Sequence, residues 1–232
     1  MKKFLIAMLM AFGYFSSTFA LEGVNVGVSL LYGKFEADGA KEVFSGDHVS
    51  GASADTVTKN ASADGDEAEG DFAIGSLFVE KTLGDKFSIG IDYVPMSMET
   101  ETTENIQSQL SSGSTRSNKT NTVQVDFSDL VTLYGTINLN DNIYVKAGMM
   151  EIDVETNEKL ATGGSYGNTT LDGVVLGIGY NRTLDNGAFV RLEANHMDFD
   201  GVTLTNSDDS TKSVTADGIS GYGARLSIGK SF

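Results

Sequence analysis

The sequence predicts an all-β fold, an eight-stranded antiparallel up-and-down transmembrane β-barrel. Three observations carry that reading. Eight segments alternate apolar and polar residues with a period of two. No amphipathic helix of useful length interrupts them. The connections alternate strictly between short turns and long polar stretches, the asymmetry of a barrel with turns on one side of a membrane and loops on the other. A soluble sandwich or closed soluble barrel would turn its apolar faces inward and show no such partition.

The first segment, Val24 to Tyr32, sets Val24, Val26, Val28, Leu30 and Tyr32 on one face. Asn25, Gly27, Ser29 and Gly33 occupy the other, interrupted by Leu31. A polar stretch runs from about 36 to 71. The second segment, Phe72 to Leu83, admits two registers. Placing Glu80 in the lumen leaves Ala73, Leu77, Val79 and Leu83 facing lipid, and this is the favoured choice; the opposite choice puts Glu80 near the periplasmic interface. Gly84-Asp85 makes a tight turn. The third segment, Phe87 to Val94, sets Phe87, Ile89, Ile91 and Tyr93 against Ser88, Gly90 and Asp92, and Pro95 ends the regular pairing.

A second polar stretch spans about 99–121. The fourth segment, Val123 to Leu139, turns Val131, Leu133, Ile137 and Leu139 outward and Thr132, Tyr134 and Thr136 inward. After the turn Asn140-Asp141-Asn142, the fifth segment starts with Ile143, Val145, Ala147 and Met149 against Tyr144, Lys146 and Gly148. A third polar stretch covers about 155–170. The sixth segment sets Val174, Leu176, Ile178 and Tyr180 outward. Asp185-Asn186-Gly187 leads to the seventh, Ala188 to His196, where Arg191, Glu193 and Asn195 share a face. The last stretch, about 198–217, precedes the closing segment. That segment, Tyr222 to Phe232, alternates strictly and is long enough for a tilted strand to cross a bilayer. An open edge in lipid leaves backbone groups unpaired, so the last strand is expected to pair with the first. Aromatic girdles are expected from Tyr32, Tyr93, Phe127 and Tyr222 at the outer ends and Phe87, Tyr180, Phe189 and Phe232 at the inner ends.

Composition agrees. The chain has 232 residues, no Cys, no Trp, one Pro and 27 Gly. The absence of Cys excludes a disulfide framework and Cys-ligated metal. Met1 to Ala20 begins with Lys2 and Lys3, continues with an apolar run too short to span a bilayer, and ends with Thr18 and Ala20 where a signal peptidase needs small residues. Residues 1–20 are therefore expected to be a signal peptide and 21–232 the barrel domain. The net charge is −16, or −18 once Lys2 and Lys3 leave with the leader. Such a surface repels nucleic acid, and anionic headgroups too unless cations intervene.

Tyr222 to Phe232, with its terminal Phe232 and alternate apolar residues upstream, resembles the C-terminal signature of bacterial outer-membrane barrels. That resemblance implies that Phe232 is read by the barrel-assembly machinery. Lys230 stands where the signature usually has an apolar or aromatic residue and would snorkel at the periplasmic interface. With the eight segments and the charged pair in Phe189 to Asn195, essentially the whole mature chain resembles the small barrels of the OmpA transmembrane-domain, OmpX/Ail and opacity-protein group. The resemblance implies a barrel in the bacterial outer membrane, among outer-membrane lipids and lipopolysaccharide; a monomer is expected.

Two constellations could carry function. Glu80, Asp92, Lys146, Arg191, Glu193 and Arg225 fall on lumen-facing positions. An eight-stranded barrel has an interior just wide enough for side chains to fill, and charges there must pair. They read either as a salt-bridged plug or as a gate whose pairs rearrange to pass small solutes. The second constellation is Asp64, Asp66, Glu67, Glu69 and Asp71, hard oxygen donors that suit a weak divalent-cation loop. EF-hand spacing fails, since Ala68 and Glu69 stand at the fifth and sixth positions. A solvated, self-repelling loop is the simpler reading. Catalysis finds little support. His48 has no nucleophile pattern around it, and His196 falls on the face opposite Arg191 and Glu193. No cofactor motif is present. The expected role is structural or surface-interacting, with the loops meeting an extracellular ligand or phage. A narrow porin-like channel is the alternative and a lipid-modifying enzyme the distant one.

Overall fold

The computed structural model describes residues 22–37, 40–44, 68–111, 115–216 and 218–232. The leader, His48 and the residues Asp64, Asp66 and Glu67 lie outside them. Thirteen strands and no helix occur among the described residues. They are β1 (Val24–Ala37), β2 (Ala40–Phe44), β3 (Ala68–Leu83), β4 (Phe87–Val94), β5 (Met98–Glu99), β6 (Thr103–Ser111) and β7 (Thr115–Asn138). The others are β8 (Ile143–Leu160), β9 (Thr169–Thr183), β10 (Ala188–Phe199), β11 (Val202–Thr205), β12 (Lys212–Ala216) and β13 (Ile219–Ser231).

Eight of these close into the expected antiparallel barrel, in the order β1, β3, β4, β7, β8, β9, β10, β13. Closure runs along β1 and β13 from Asn25 opposite Ser231 to Glu36 opposite Ser220. Phe232 finishes it: its N–H donates to the Val24 carbonyl at 2.9 Å, and its own carbonyl accepts the Gly23 N–H. The three short turns follow β3, β7 and β9 at the end of the barrel where Gly23 and Phe232 also lie. Gly84 and Gly187 supply the left-handed conformations in two of these turns, with φ of 67° and 80°.

The outer wall is apolar. Leu30, Leu77, Ile89, Leu176, Leu192 and Ile228, from six different strands, are all exposed. A band of this extent in water would be an interaction or aggregation surface; around a closed barrel it is the face that lipid covers. Tyr32, Phe87, Tyr180, Tyr222 and Phe232 are exposed at its margins. The register with Glu80 inward is the one observed: Glu80 is 1% exposed, while Leu77 and Leu83 are exposed on the outer face.

Two aromatics expected in the girdles are inside. Phe189 has the parity of Arg191 on β10 and is buried in the lumen. Phe127 is turned in by a β-bulge. The β7–β8 register shifts between Ser128 and Val131, and Asp129 takes a left-handed φ of 54°. One extra residue exchanges the faces of everything upstream, so Phe127 and Val125 pack on the interior cluster. Val131 keeps its outward parity but is buried. Opposite it stands Tyr93, whose hydroxyl donates to Asp129 at 2.6 Å.

The polar stretches hold more strand than expected. β6 pairs with the first part of β7 from Thr103–Val123 to Ser111–Thr115, inside the stretch read as a loop. β8 continues to Leu160. β3 begins at Ala68, so Glu69 and Asp71 are strand residues, paired with Glu36 and Lys34 of β1. β11 and β12 form a hairpin that recruits β2 from the first stretch, giving a separate three-stranded sheet. Outside a membrane a ladder needs no apolar outer face, and threonine suits it well.

Candidate functional site

The strand grammar brings the six lumen charges together. From the turn end upward, β3 presents Glu80, Phe78, Ser76, Ile74 and Phe72 to the interior, and β10 presents Phe189, Arg191, Glu193, Asn195, Met197 and Phe199. The charged positions therefore fall in the lower half of the lumen, interleaved with Phe78 and Phe189, and the upper half is mainly apolar.

The lowest layer is a forked pair. Arg191 donates two hydrogen bonds of 2.8 Å to the two carboxylate oxygens of Glu80. Two parallel charge-assisted bonds of this kind add both strength and geometric specificity. Glu80 also accepts from Asn25 at 2.9 Å and from the Tyr134 hydroxyl at 3.3 Å. Arg191 Nε donates to Asn181 at 3.2 Å. The guanidinium carbon lies 4.6 Å from the Phe189 ring centroid, 5.6 Å from Tyr144 and 5.7 Å from Phe78. Aromatic faces thus surround a cation whose charge is already matched.

The next layer is a chain of four charges. Arg225 donates to Asp92 at 2.5 Å, and Asp92 accepts the Ser76 hydroxyl at 2.8 Å. Arg225 Nε stands 3.8 Å from Glu193, which accepts Lys146 at 3.0 Å and the Tyr144 hydroxyl at 2.8 Å. Two tyrosines tie the layers together. Tyr144 reaches up to Glu193 while its ring faces Arg191. Tyr134 reaches down to Glu80 while its ring faces Lys146, whose Nζ lies 4.6 Å from the centroid. Three acids and three bases balance, so these six charges leave the interior without a net charge. Each ion has a counter-ion, and all but Lys146, which has the Tyr134 ring instead, also have further donors or acceptors, the condition under which charges are tolerated away from bulk solvent.

Glycines make room for the tyrosines. A Cβ on Gly90 would come within 2.5 Å of Tyr134 Cζ, and one on Gly179 would meet the Tyr144 ring. Gly90→Ala is therefore expected to destabilise the barrel by about 1–3 kcal/mol, the usual penalty of overpacking. Urea unfolding in detergent micelles measures it; an unchanged midpoint would mean that Tyr134 can move aside freely.

Above the charges the lumen is filled with apolar side chains. Leu31, Ile74, Val94, Met150, Val175 and Met197 are each at most 4% exposed and belong to one cluster. Phe72 caps it, stacked on Phe35 with ring centroids 4.4 Å apart, and Phe199 lies 6.1 Å from Phe35. The charge positions had been visible in the sequence, but this cap had not. A signal for it exists on β8, where Met150, Ile152 and Val154 are buried while Glu151, Asp153 and Glu155 alternate with them facing out. Below, β8 turns apolar residues outward; above Met149 it turns them inward. That inversion marks where the wall leaves the lipid.

At the loop end, the connections are cross-linked. Ser207 N–H donates to the Ser165 carbonyl at 2.8 Å and Ser165 N–H to the Ser207 hydroxyl at 2.9 Å. Buried Asn206 donates to the Gly163 carbonyl at 3.2 Å and accepts from the Asp208 and Asp209 N–H groups at 3.0 and 3.2 Å. Glu158 accepts the Tyr166 and Gly167 N–H groups at 2.6 and 3.0 Å.

The remaining expected positions stand apart from the lumen. Phe232 is exposed at the turn end. Lys230 beside it donates to the Asn186 carbonyl. His196 is exposed on the outer wall, opposite Leu176 and Tyr222 in its ladders. Among the described residues no cluster of His, Cys, Asp or Glu forms a metal site.

No known protein family matches the sequence, and no curated protein does. Among solved structures the chain is similar to the outer membrane protein OprG of Pseudomonas aeruginosa, at 12% identity over 91% of this chain and 97% of that one, with a TM-score of 0.48. It is similar to the outer membrane protease OmpT of Escherichia coli at 9% identity over 94% and 99%, with a TM-score of 0.43. It is also similar to Ail, the attachment invasion locus protein of Yersinia pestis, at 8% identity over 88% and 99%, with a TM-score of 0.36. The assignment of this fold rests on the chain's own closed ladder and apolar wall.

Proposed function

We propose that this chain is a sealed barrel of the bacterial outer membrane whose activity lies in its loops, as a structural or surface-interacting protein. The leader directs export, Phe232 serves the assembly machinery, and the turn end faces the periplasm. The observation that carries this reading is the filled lumen. Two ion-pair layers and an apolar cap occupy successive levels of an interior that eight strands make just wide enough for side chains. That filling argues against a path for solutes, and His196, on the outer wall opposite Leu176 and Tyr222, stands away from the lumen charges. The cross-linked loops and the β2–β12–β11 sheet present an ordered surface outside, as a binding surface requires. In the sequence, the acidic stretch from Asp64 to Asp71 supplies hard oxygen donors that suit a divalent cation bridging to lipopolysaccharide phosphates.

The refolded mature protein is expected to be electrically silent in a planar lipid bilayer while showing the heat-modifiable, protease-resistant behaviour of a folded barrel. Discrete conductance steps from such a preparation would replace this reading with the porin-like one.

A further inference from the structure

Asn195 stands at the boundary between the ion pairs and the apolar cap, and its side chain is unpartnered. It is 5% exposed, and neither its Oδ1 nor its Nδ2 has a hydrogen-bond partner. Buried amides are almost always satisfied, so an orphaned pair of atoms needs an explanation. A third orphan lies beside them. Arg225 Nε is buried with no hydrogen bond, its nearest acid being Glu193 at 3.8 Å. The ladders bring these groups to one patch. Glu193 faces Arg225, and two residues on, Asn195 faces Gly223 on one side and Gly177 on the other. Both flanking positions are glycines on the inward face, so neither residue directly opposite Asn195 contributes a side chain beside the amide; Leu31 Cδ1 lies over Gly223 and Glu193 Cγ near Gly177. The amide oxygen already lies over Gly177, where a Cβ would come within 2.8 Å of it.

We infer that Asn195, Arg225 and Glu193 form an internal hydration site holding a sequestered water molecule. The chemistry of the donor set selects the occupant. Nδ2 and the Arg225 Nε–H require an acceptor, whereas Oδ1 and the Glu193 carboxylate require a donor. An anion such as chloride would leave Oδ1 unsatisfied and oppose Glu193. A metal cation would satisfy Oδ1 but face the Arg225 guanidinium. Water both accepts and donates. Met197 and Val175, the next inward residues above on β10 and β9, belong to the apolar cap, so this water is cut off from the loop side and exchanges slowly. The inference concerns the lumen alone and stands whatever the loops bind.

The test is water–protein NMR on ¹⁵N-labelled protein refolded in detergent micelles. Rotating-frame spectra separate dipolar contact with water from proton exchange by the sign of the cross-peak. Dipolar cross-peaks from water to the Arg225 Nε–H and the Asn195 amide protons are expected. Asn195→Leu is expected to abolish the one at Arg225. Resolved Arg225 and Asn195 signals with no dipolar water peak, or with exchange peaks alone, would overturn the inference. So would an Arg225 peak unchanged in Asn195→Leu. If that variant does not fold, the wild-type spectrum decides by itself.

Discussion

Replacing Glu80 with alanine is expected to destabilise the folded barrel by about 3–5 kcal/mol, the magnitude found when one member of a buried ion pair is removed. Glu80 is 1% exposed and takes both forks of Arg191 at 2.8 Å. Without it, Arg191 keeps one hydrogen bond to Asn181 and three ring faces, which do not replace a counter-ion. Asn25 and Tyr134 each lose a partner as well. Equilibrium urea unfolding in micelles reads the loss. Because most of the penalty is the stranded cation, Arg191→Ala in the same chain should recover part of it, giving a coupling of about 1–3 kcal/mol in the double-mutant cycle. Additivity within about 0.5 kcal/mol would mean that the forked pair does not act as a unit. Glu80→Gln separates charge from shape: it retains an acceptor for Arg191 and should fall between wild type and Glu80→Ala.

How far the sequence revealed this site depends on where lipid stops. Within the membrane, alternation had one meaning on most strands, and Asp92, Lys146, Arg191, Glu193 and Arg225 could be placed in the lumen from parity alone. For β3 the sequence left two registers, and the single charge Glu80 only favoured the inward one, because an outward glutamate near the periplasmic interface costs little; the structure has Glu80 inward. Above the membrane the same alternation changes meaning. Met150, Ile152 and Val154 point in because Glu151, Asp153 and Glu155 can face water, so the apolar cap resembles a strand end. Thr103–Ser111 and the start of β7 lack an apolar stripe altogether, which made a hairpin look like a loop. The bulge at Asp129 left no mark either, since no Gly or Pro stands there to announce a left-handed residue, and the inward turn of Phe127 follows from it. Phe189 is a different case. It lies two residues from Arg191 on an unbroken strand, so parity alone places it inside.

The two fillings of the lumen lie in series, and that arrangement makes a sharper expectation about conduction. An ion crossing the barrel must pass the ion-pair layers and then the apolar cap, so the higher barrier sets the current. A barrier of about 7 kcal/mol already slows passage roughly 10⁵-fold, and moving a bare ion into apolar surroundings costs more than that. Glu80→Ala with Arg191→Ala should therefore leave the barrel silent, because Leu31, Phe72 and Ile74 still close it. Leu31→Ser with Phe72→Ser should also leave it silent, because the Asp92–Arg225–Glu193–Lys146 chain and the forked pair below still fill their level. Serine is the right replacement, since an apolar cavity left by truncation stays dry and so stays closed. Even the chain carrying all four substitutions is expected to stay silent, because the Asp92–Arg225–Glu193–Lys146 level remains in place, each recording being made after the variant has passed the heat-modifiability check. Steps from the charge-pair variant alone would show that the cap is no barrier and return the gate to Glu80 and Arg191. Silence from the fourfold variant would place the barrier in the Asp92–Lys146 level, which those substitutions leave intact.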